Sequence, residues 1–362
     1  MEMTGGSGGE EGTLKGASVP LITVTRNGET DMEHLGFACL VDADGKCIWS
    51  LGDPHAKAFF RSSAKPLQAL TLVESGGADA AGLDEADLAI ICGSNLGGPE
   101  QVAQVKSLLA KSGLAEKDLG CGDGLKDMCS GKHAGMLTAC KHLGLPLDTY
   151  LDPDHPWQRR LLSTLCGYCA VNAEDVRQAV DGCSAPTVLL PLYNMALGFA
   201  RLGRASAHAG PVARLLRAMT EHPGGHTGEP DLRPFRLLSA EESATLVSNP
   251  SPAYNPSPAS KPTSEYHPSL PGPTANLSGP TAALVTKGGA NGLHCAVIPA
   301  LGLGFALKVI DGSALPRWPV FIRALELAGL ISSATAGEMR RAISPKIETR
   351  RGAPAGSIRT DF

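Results

Sequence analysis

Two serines and a lysine stand close together in FFRSSAKPLQAL, residues 59–70. Ser62 and Lys65 are three positions apart, which puts them on one face of a helical turn, whereas Ser63 and Lys65 diverge. A serine hydroxyl is a weak nucleophile until a base takes its proton. A lysine can be that base only when burial or a second positive charge lowers its pKa from about 10.4 toward neutrality. The plainer reading of the same spacing is a helix-capping serine beside an exposed lysine. Pro66 fits either reading, because the first helical turn has no donor to lose.

Further stretches carry side chains of the same chemical kind. GSNLGG offers Ser94 and Asn95 in a glycine-rich loop, and TKGGANG, residues 286–292, places Lys287 at a strand end before a glycine turn. Ser-x-x-Lys, a Ser/Asn loop and a Lys-Gly strand end follow one another in this order in serine β-lactamases and penicillin-binding proteins. A Ser–Lys acyl-transfer enzyme is one hypothesis; two turns and a solvated lysine are the other. MCSGKHAGML packs Cys129, Lys132 and His133 into five residues at a helix start, as a reactive thiol or a metal ligand would require. DGCSAP supplies Asp181 and Cys183 as companions, or simply a turn.

The elements that must position these groups show in the patterning. Residues 20–50 alternate as a β-meander, with Asp44-Gly45 as a hairpin turn. A helix is expected over Pro66–Glu74, stopped by Ser75-Gly76-Gly77, and a buried strand over Leu88–Cys92 leading into the GSNLGG loop. Helices are expected at Gly131–Leu143, His155–Ala170, Leu192–Leu202 and Pro211–Met219. Strands return at Ala283–Thr286, Leu293–Ile298 and Gly304–Ile310, followed by helices at Val320–Leu330 and Ala336–Ile343. From His222 to Pro280, Pro, Ser and Gly dominate without periodicity, the composition of a long disordered insert. The reading is therefore a 1–19 disordered tail, a catalytic domain formed by 20–221 and 281–362, and an insert at 222–280.

Composition narrows the function class. The chain has 362 residues, 32 basic and 36 acidic side chains and a net charge of −4, with no Lys/Arg block, so the footprint of a nucleic-acid binder is missing. No apolar run is long enough to span a bilayer, and the acidic, glycine-rich start is unlike a secretory signal. A soluble, cytoplasmic protein acting on a small molecule is expected. In such a chain the ten cysteines read as buried thiols or metal ligands, with Cys39, Cys47, Cys92 and Cys140 in apolar runs.

Taken together, TRNGETDMEHLGFA, RSSAKPLQAL, CSGKH, LDPDHPWQ, DGCSAPTVLLPLYNMALGFARL and TKGGANGLHCAVIPALGLGFALKVIDG resemble the rhizobial-type, thermolabile L-asparaginases. This asparaginase II family is distinct from the Thr-nucleophile asparaginases. The resemblance implies an α/β (α+β) fold akin to serine β-lactamases and glutaminases, an antiparallel sheet flanked by helices with a helical middle section. It also implies hydrolysis of L-asparagine to L-aspartate and ammonia, in a homodimer. Carried over, Ser62 is the nucleophile with Lys65 beside it, and Ser94 with Lys287 forms a second pair. Cys129, Lys132 and Cys183 match the family's zinc ligands, and Arg61, His133 and Asp181 its pocket-lining residues. The GSNLGGPEQ loop departs from the family's Ser-His-Ser-Gly-Glu-Pro pattern, retaining Ser94, Gly97 and Pro99. The family's Gly-Arg and Asp-Thr motif is not visible in the insert. A non-catalytic relative that binds an amino acid or zinc, and a β-lactamase-like acylhydrolase, are the competing readings.

Overall fold

The computed structural model describes residue 14 and residues 16–223, 232–233 and 284–362. The chain opens with β1 (Val19–Arg26), β2 (Glu29–Asp42), β3 (Cys47–Leu51) and the short β4 (Lys57–Phe59). A helical stretch follows: α1 (Lys65–Glu74), α2 (Gly77–Ala80), α3 (Glu85–Cys92), α4 (Pro99–Lys111), α5 (Ser130–His142) and α6 (Pro156–Cys169). Next come β5 (Arg177–Val180), β6 (Pro186–Pro191), α7 (Leu192–Ala205) and α8 (Pro211–Glu221). The closing part contains β7 (Val285–Gly288), β8 (Leu293–Ile298), β9 (Leu303–Val309), α9 (Arg317–Leu327), α10 (Ser333–Ile343) and β10 (Ser357–Thr360).

Among the described residues the main sheet is antiparallel, in the order β10-β1-β2-β9-β8-β7, with β3 on the second half of β2. Alternation along β2 decides what each face buries. Phe37, Cys39 and Val41 enter the core shared with the helical stretch, while Ala38 and Leu40 face Trp318, Phe321 and Met339 of α9 and α10. On the first face α7 lies so close that a Cβ on Gly304 would stand 1.9 Å from Ala196 O and 2.4 Å from Ala200 N. A smaller sheet, β4-β6-β5, contributes Ala58, Val188 and Leu190 to the core shared with the helical stretch.

The Asp44-Gly45 hairpin forms as expected, with Asp42 Oδ1 accepting the Asp44 and Lys46 amides and Gly45 at φ 92°. The helices expected between 131 and 221 are present within a few residues of their predicted ends. One expectation is overturned: Leu88–Cys92 is the second half of helix α3, not a strand. Leu88, Ala89, Ile90, Ile91 and Cys92 are all buried, so the helix has no polar face for a period of 3.6 to reveal. Asp84 starts it by accepting the Asp87 amide at 3.0 Å while the Asp87 carboxylate accepts the Asp84 amide at 3.0 Å, a reciprocal cap. Strand β7 also runs further than expected, so Lys287 lies inside it, in register with Cys295. Apart from residues 222–223 and 232–233, the expected insert lies outside the described residues, as does the tail up to residue 13. All ten cysteines are free, and no described helix is long and apolar enough to cross a membrane.

Candidate functional site

Five backbone segments meet here: a 3-10 turn at Arg61–Ala64, the loop after α3, the start of α5, the β5–β6 turn and the end of β7. Arg61 takes a left-handed φ of 48°, which disfavours side chains with a Cβ, and β6 holds it there. Val188 O accepts the Phe60 amide at 2.9 Å and Thr187 Oγ1 accepts the Arg61 amide at 3.1 Å. Ser63 points inward, fully buried, and its hydroxyl donates to Lys287 O at 3.0 Å, fastening the turn to β7. Ser62 is left as the half-buried hydroxyl of the turn.

The two lysines reach consecutive residues of the α3–α4 loop. Lys65 Nζ donates to Gly93 O at 2.6 Å and to Met128 O at 2.9 Å. Lys287 Nζ donates to Ser94 Oγ at 3.1 Å and to Gly288 O at 2.6 Å. Both lysines are buried. Ser94 and Lys287 thus form a hydrogen-bonded pair, whereas among the described residues no hydrogen bond joins Ser62 Oγ to Lys65 Nζ. A neutral amine has two N–H bonds and one lone pair. With two N–H bonds of Lys65 directed at carbonyls, its third direction is shared with the Cys129 side chain, which also hydrogen-bonds it. Burial pushes the Lys65 pKa down, and the charge of Lys132 adds to this against the pull of Cys129 and Cys183.

The α5 start and the β5–β6 turn bring the sulfur atoms together. Asp181 accepts the Ser184 amide and its own amide reaches Ala185 O, both at 2.9 Å, closing a tight turn with Ser184 at φ 68°. That turn aims Asp181 at Arg61, 2.7 Å from the guanidinium, and Cys183 at Lys132, whose Nζ donates to its sulfur at 3.1 Å. A hydrogen bond from Cys183 pulls the Cys129 thiol down to about 5, with Lys65 and Lys132 adding to the effect against burial. The same bond and burial push Cys183 up. Burial alone would depress Lys132, but Cys129 and Cys183 outweigh it and its pKa is raised. Cys129, Lys132 and Cys183 therefore converge as a buried S, N, S donor set, of the soft and borderline type that suits zinc. Among the described residues no group of three or more His, Cys, Asp and Glu could hold a metal, so a site here needs the lysine as its third donor.

Two residues hold the site together: Asn95, which the sequence offers only as part of a Ser/Asn loop, and Tyr150, which the sequence does not mark. Asn95 is buried: its Nδ2 donates to Leu125 O and Ser130 Oγ, its Oδ1 accepts the Gly97 amide, and its backbone N–H reaches Met128 O. It ties the loop carrying Ser94 to the segment whose carbonyl holds Lys65. Tyr150 lies 2.6 Å from His133 Nδ1 and accepts the Gly120 amide at 2.8 Å. The NLGG turn gave a local hint of Asn95's bond to Gly97; nothing near Tyr150 in sequence marks its partner.

The sequence pattern of the family described as L-asparaginase II matches residues 22–233 and 274–360. Among solved structures, a β-lactamase from Mycobacterium bovis is 12% identical, the comparison covering 82% of this chain and 95% of that one at a TM-score of 0.43. A D-alanine carboxypeptidase from Burkholderia cenocepacia is 14% identical over 85% and 93% of the two chains at a TM-score of 0.31. At these scores nothing about this chain's chemistry is taken from either. No curated protein matches the chain. With the family pattern spanning both sides of the sheet and both Ser–Lys segments, the chain belongs to the L-asparaginase II family.

Proposed function

We propose that the protein is an L-asparagine amidohydrolase acting through a serine nucleophile. The observation that carries this reading is the placement of two buried lysines on consecutive residues, Lys65 on Gly93 and Lys287 on Ser94, beside the turn that presents Ser62. Ser62 Oγ attacks the side-chain amide carbon while Lys65 Nζ, in its neutral form, accepts the hydroxyl proton. The hydrogen-bonded Ser94–Lys287 pair carries a proton to the departing nitrogen, which leaves as ammonia. Water then attacks the acyl-enzyme, its proton returns through the same groups, and L-aspartate is released with Ser62 restored. Arg61, held by Asp181, and His133 bind the polar groups of the amino acid. Cys129, Lys132 and Cys183 would hold zinc after Lys132 gives up its proton. A bound zinc ion supplies a fixed positive charge that orders the pocket and offsets the two thiolates.

The test is ammonia release from L-asparagine by purified protein beside Ser62→Ala, with zinc measured in both. The wild type should turn over, and the variant should lose about 10⁴-fold or more. Zinc should be present in both samples and should fall on replacing Cys183. No release from folded, zinc-loaded wild type would leave an amino-acid-binding relative. Turnover of a chromogenic β-lactam in place of L-asparagine would make the protein an acylhydrolase of a different substrate class.

A further inference from the structure

His133 is fully buried, and among the described residues its Nε2 has no hydrogen-bond partner. Its other nitrogen, Nδ1, lies 2.6 Å from the buried Tyr150 hydroxyl, with the two rings edge-on at 89°. Which nitrogen carries the proton follows from counting donors. The Tyr150 oxygen already accepts the Gly120 N–H at 2.8 Å, and its own single hydrogen needs an acceptor, because a buried hydroxyl without one is costly. Among the described residues, Nδ1 is the acceptor within reach. Nδ1 therefore carries the lone pair, and the imidazole hydrogen sits on Nε2, where it has nothing to donate to. With Nδ1 taken up as the acceptor for the Tyr150 hydroxyl, the ring carries a single hydrogen and is neutral.

We propose that Tyr150 is a positioning residue that locks His133 in the Nε2–H tautomer, and that this N–H is a neutral donor to an oxygen of the bound amino acid. The donor role rests on the substrate reading above; the tautomer lock does not. In this tautomer the ring offers a hydrogen, which a carboxylate or amide oxygen can accept. The opposite tautomer would present a lone pair that repels a carboxylate or amide oxygen.

The experiment is nitrogen NMR of zinc-loaded protein labelled at histidine, with the His133 signals identified by their loss in His133→Gln. In the wild type Nε2 should read as protonated and Nδ1 as unprotonated, and adding L-aspartate should shift the Nε2 signal. Tyr150→Phe should give a mixture of the two tautomers and weaken L-aspartate binding about tenfold. A wild-type signal showing the proton on Nδ1 would overturn the proposal. So would bound L-aspartate that leaves Nε2 unmoved, or a Tyr150→Phe protein with unchanged tautomer and affinity. The wild-type measurement holds even if the variant does not fold. Failure of the substrate reading shows separately, as absence of ammonia release with the tautomer as stated.

Discussion

In the proposed mechanism Lys65 acts as a base only while it is neutral, so the environment that lowers its pKa fixes a pH dependence. Its folded pKa lies below the unfolded value of 10.5, so between the two the unfolded chain binds more protons and stability rises with pH. The activity prediction has the same sign. A profile of kcat/KM against pH should rise through a basic limb set by the folded Lys65, below the ordinary lysine range, and a limb at the ordinary value would remove Lys65 from the role. Asn95 gives a second prediction. Asn95→Ala strands the Gly97 amide, Leu125 O and Ser130 Oγ, which should cost about 3 kcal/mol and lower Tm. Because the same side chain secures the loop of Ser94, kcat should fall in the protein that remains folded; a thermal scan and steady-state kinetics check both. Ser62, Lys65, Ser94 and Lys287 could be nominated from spacing because each lies in a short motif. Tyr150 could not, since its bond to His133 spans 17 positions and joins a loop to a helix.

At the scale of elements, the tightest approach at any described glycine is α7 against β9. Gly304→Ala would drive a methyl group into the backbone of Ala196 and Ala200, neither of which can rotate aside. The expected cost is about 3 kcal/mol or more, read as a shifted denaturation midpoint with unchanged slope. Asp84→Ala should cost about 1 kcal/mol through loss of the α3 cap. Helices with one polar face, such as α8, were legible from their period, and the apolar strands β2 and β3 from the Asp44-Gly45 turn between them. Helix α3 was not, because burial on every side erases the contrast that a period needs. The local clue was the pair of acids at 84 and 87, which marks a helix start and is incompatible with the strand that was expected. The small strands β4, β5 and β6 were hidden for another reason: each is short, and although β5 and β6 form a local hairpin, β4 reaches its partner β6 only across the helical stretch.

At the scale of the molecule, one sheet takes strands from both ends of the chain. β1 and β2 pair with β10 and β9, so the segments before residue 224 and after residue 283 share a single core. Unfolding should therefore be one cooperative transition, with calorimetric and van 't Hoff enthalpies in agreement. A chain cut once at a protease site engineered between residues 234 and 273 should still elute as one particle, and its two pieces should separate only in denaturant. Separation under native conditions would mean that the segments are independent domains. That strands lie on both sides of residues 224–283 could be anticipated from the return of strand patterning after residue 280, but the order of strands could not, because nothing local in β2 says which distant strand will lie beside it.

The position of β9 between β2 and β8 also bears on how the protein is made. During synthesis β1, β2 and β3 emerge first, and β2 presents an open edge until the ribosome has passed residue 309. At about 5–20 residues per second that edge stands unpaired for many seconds, with the apolar side chains Phe37, Leu40 and Val41 available to any other nascent strand. Yield in the cell should thus depend on how long the chain waits for its own middle strand, and slowing translation before residue 303 should favour aggregation over assembly.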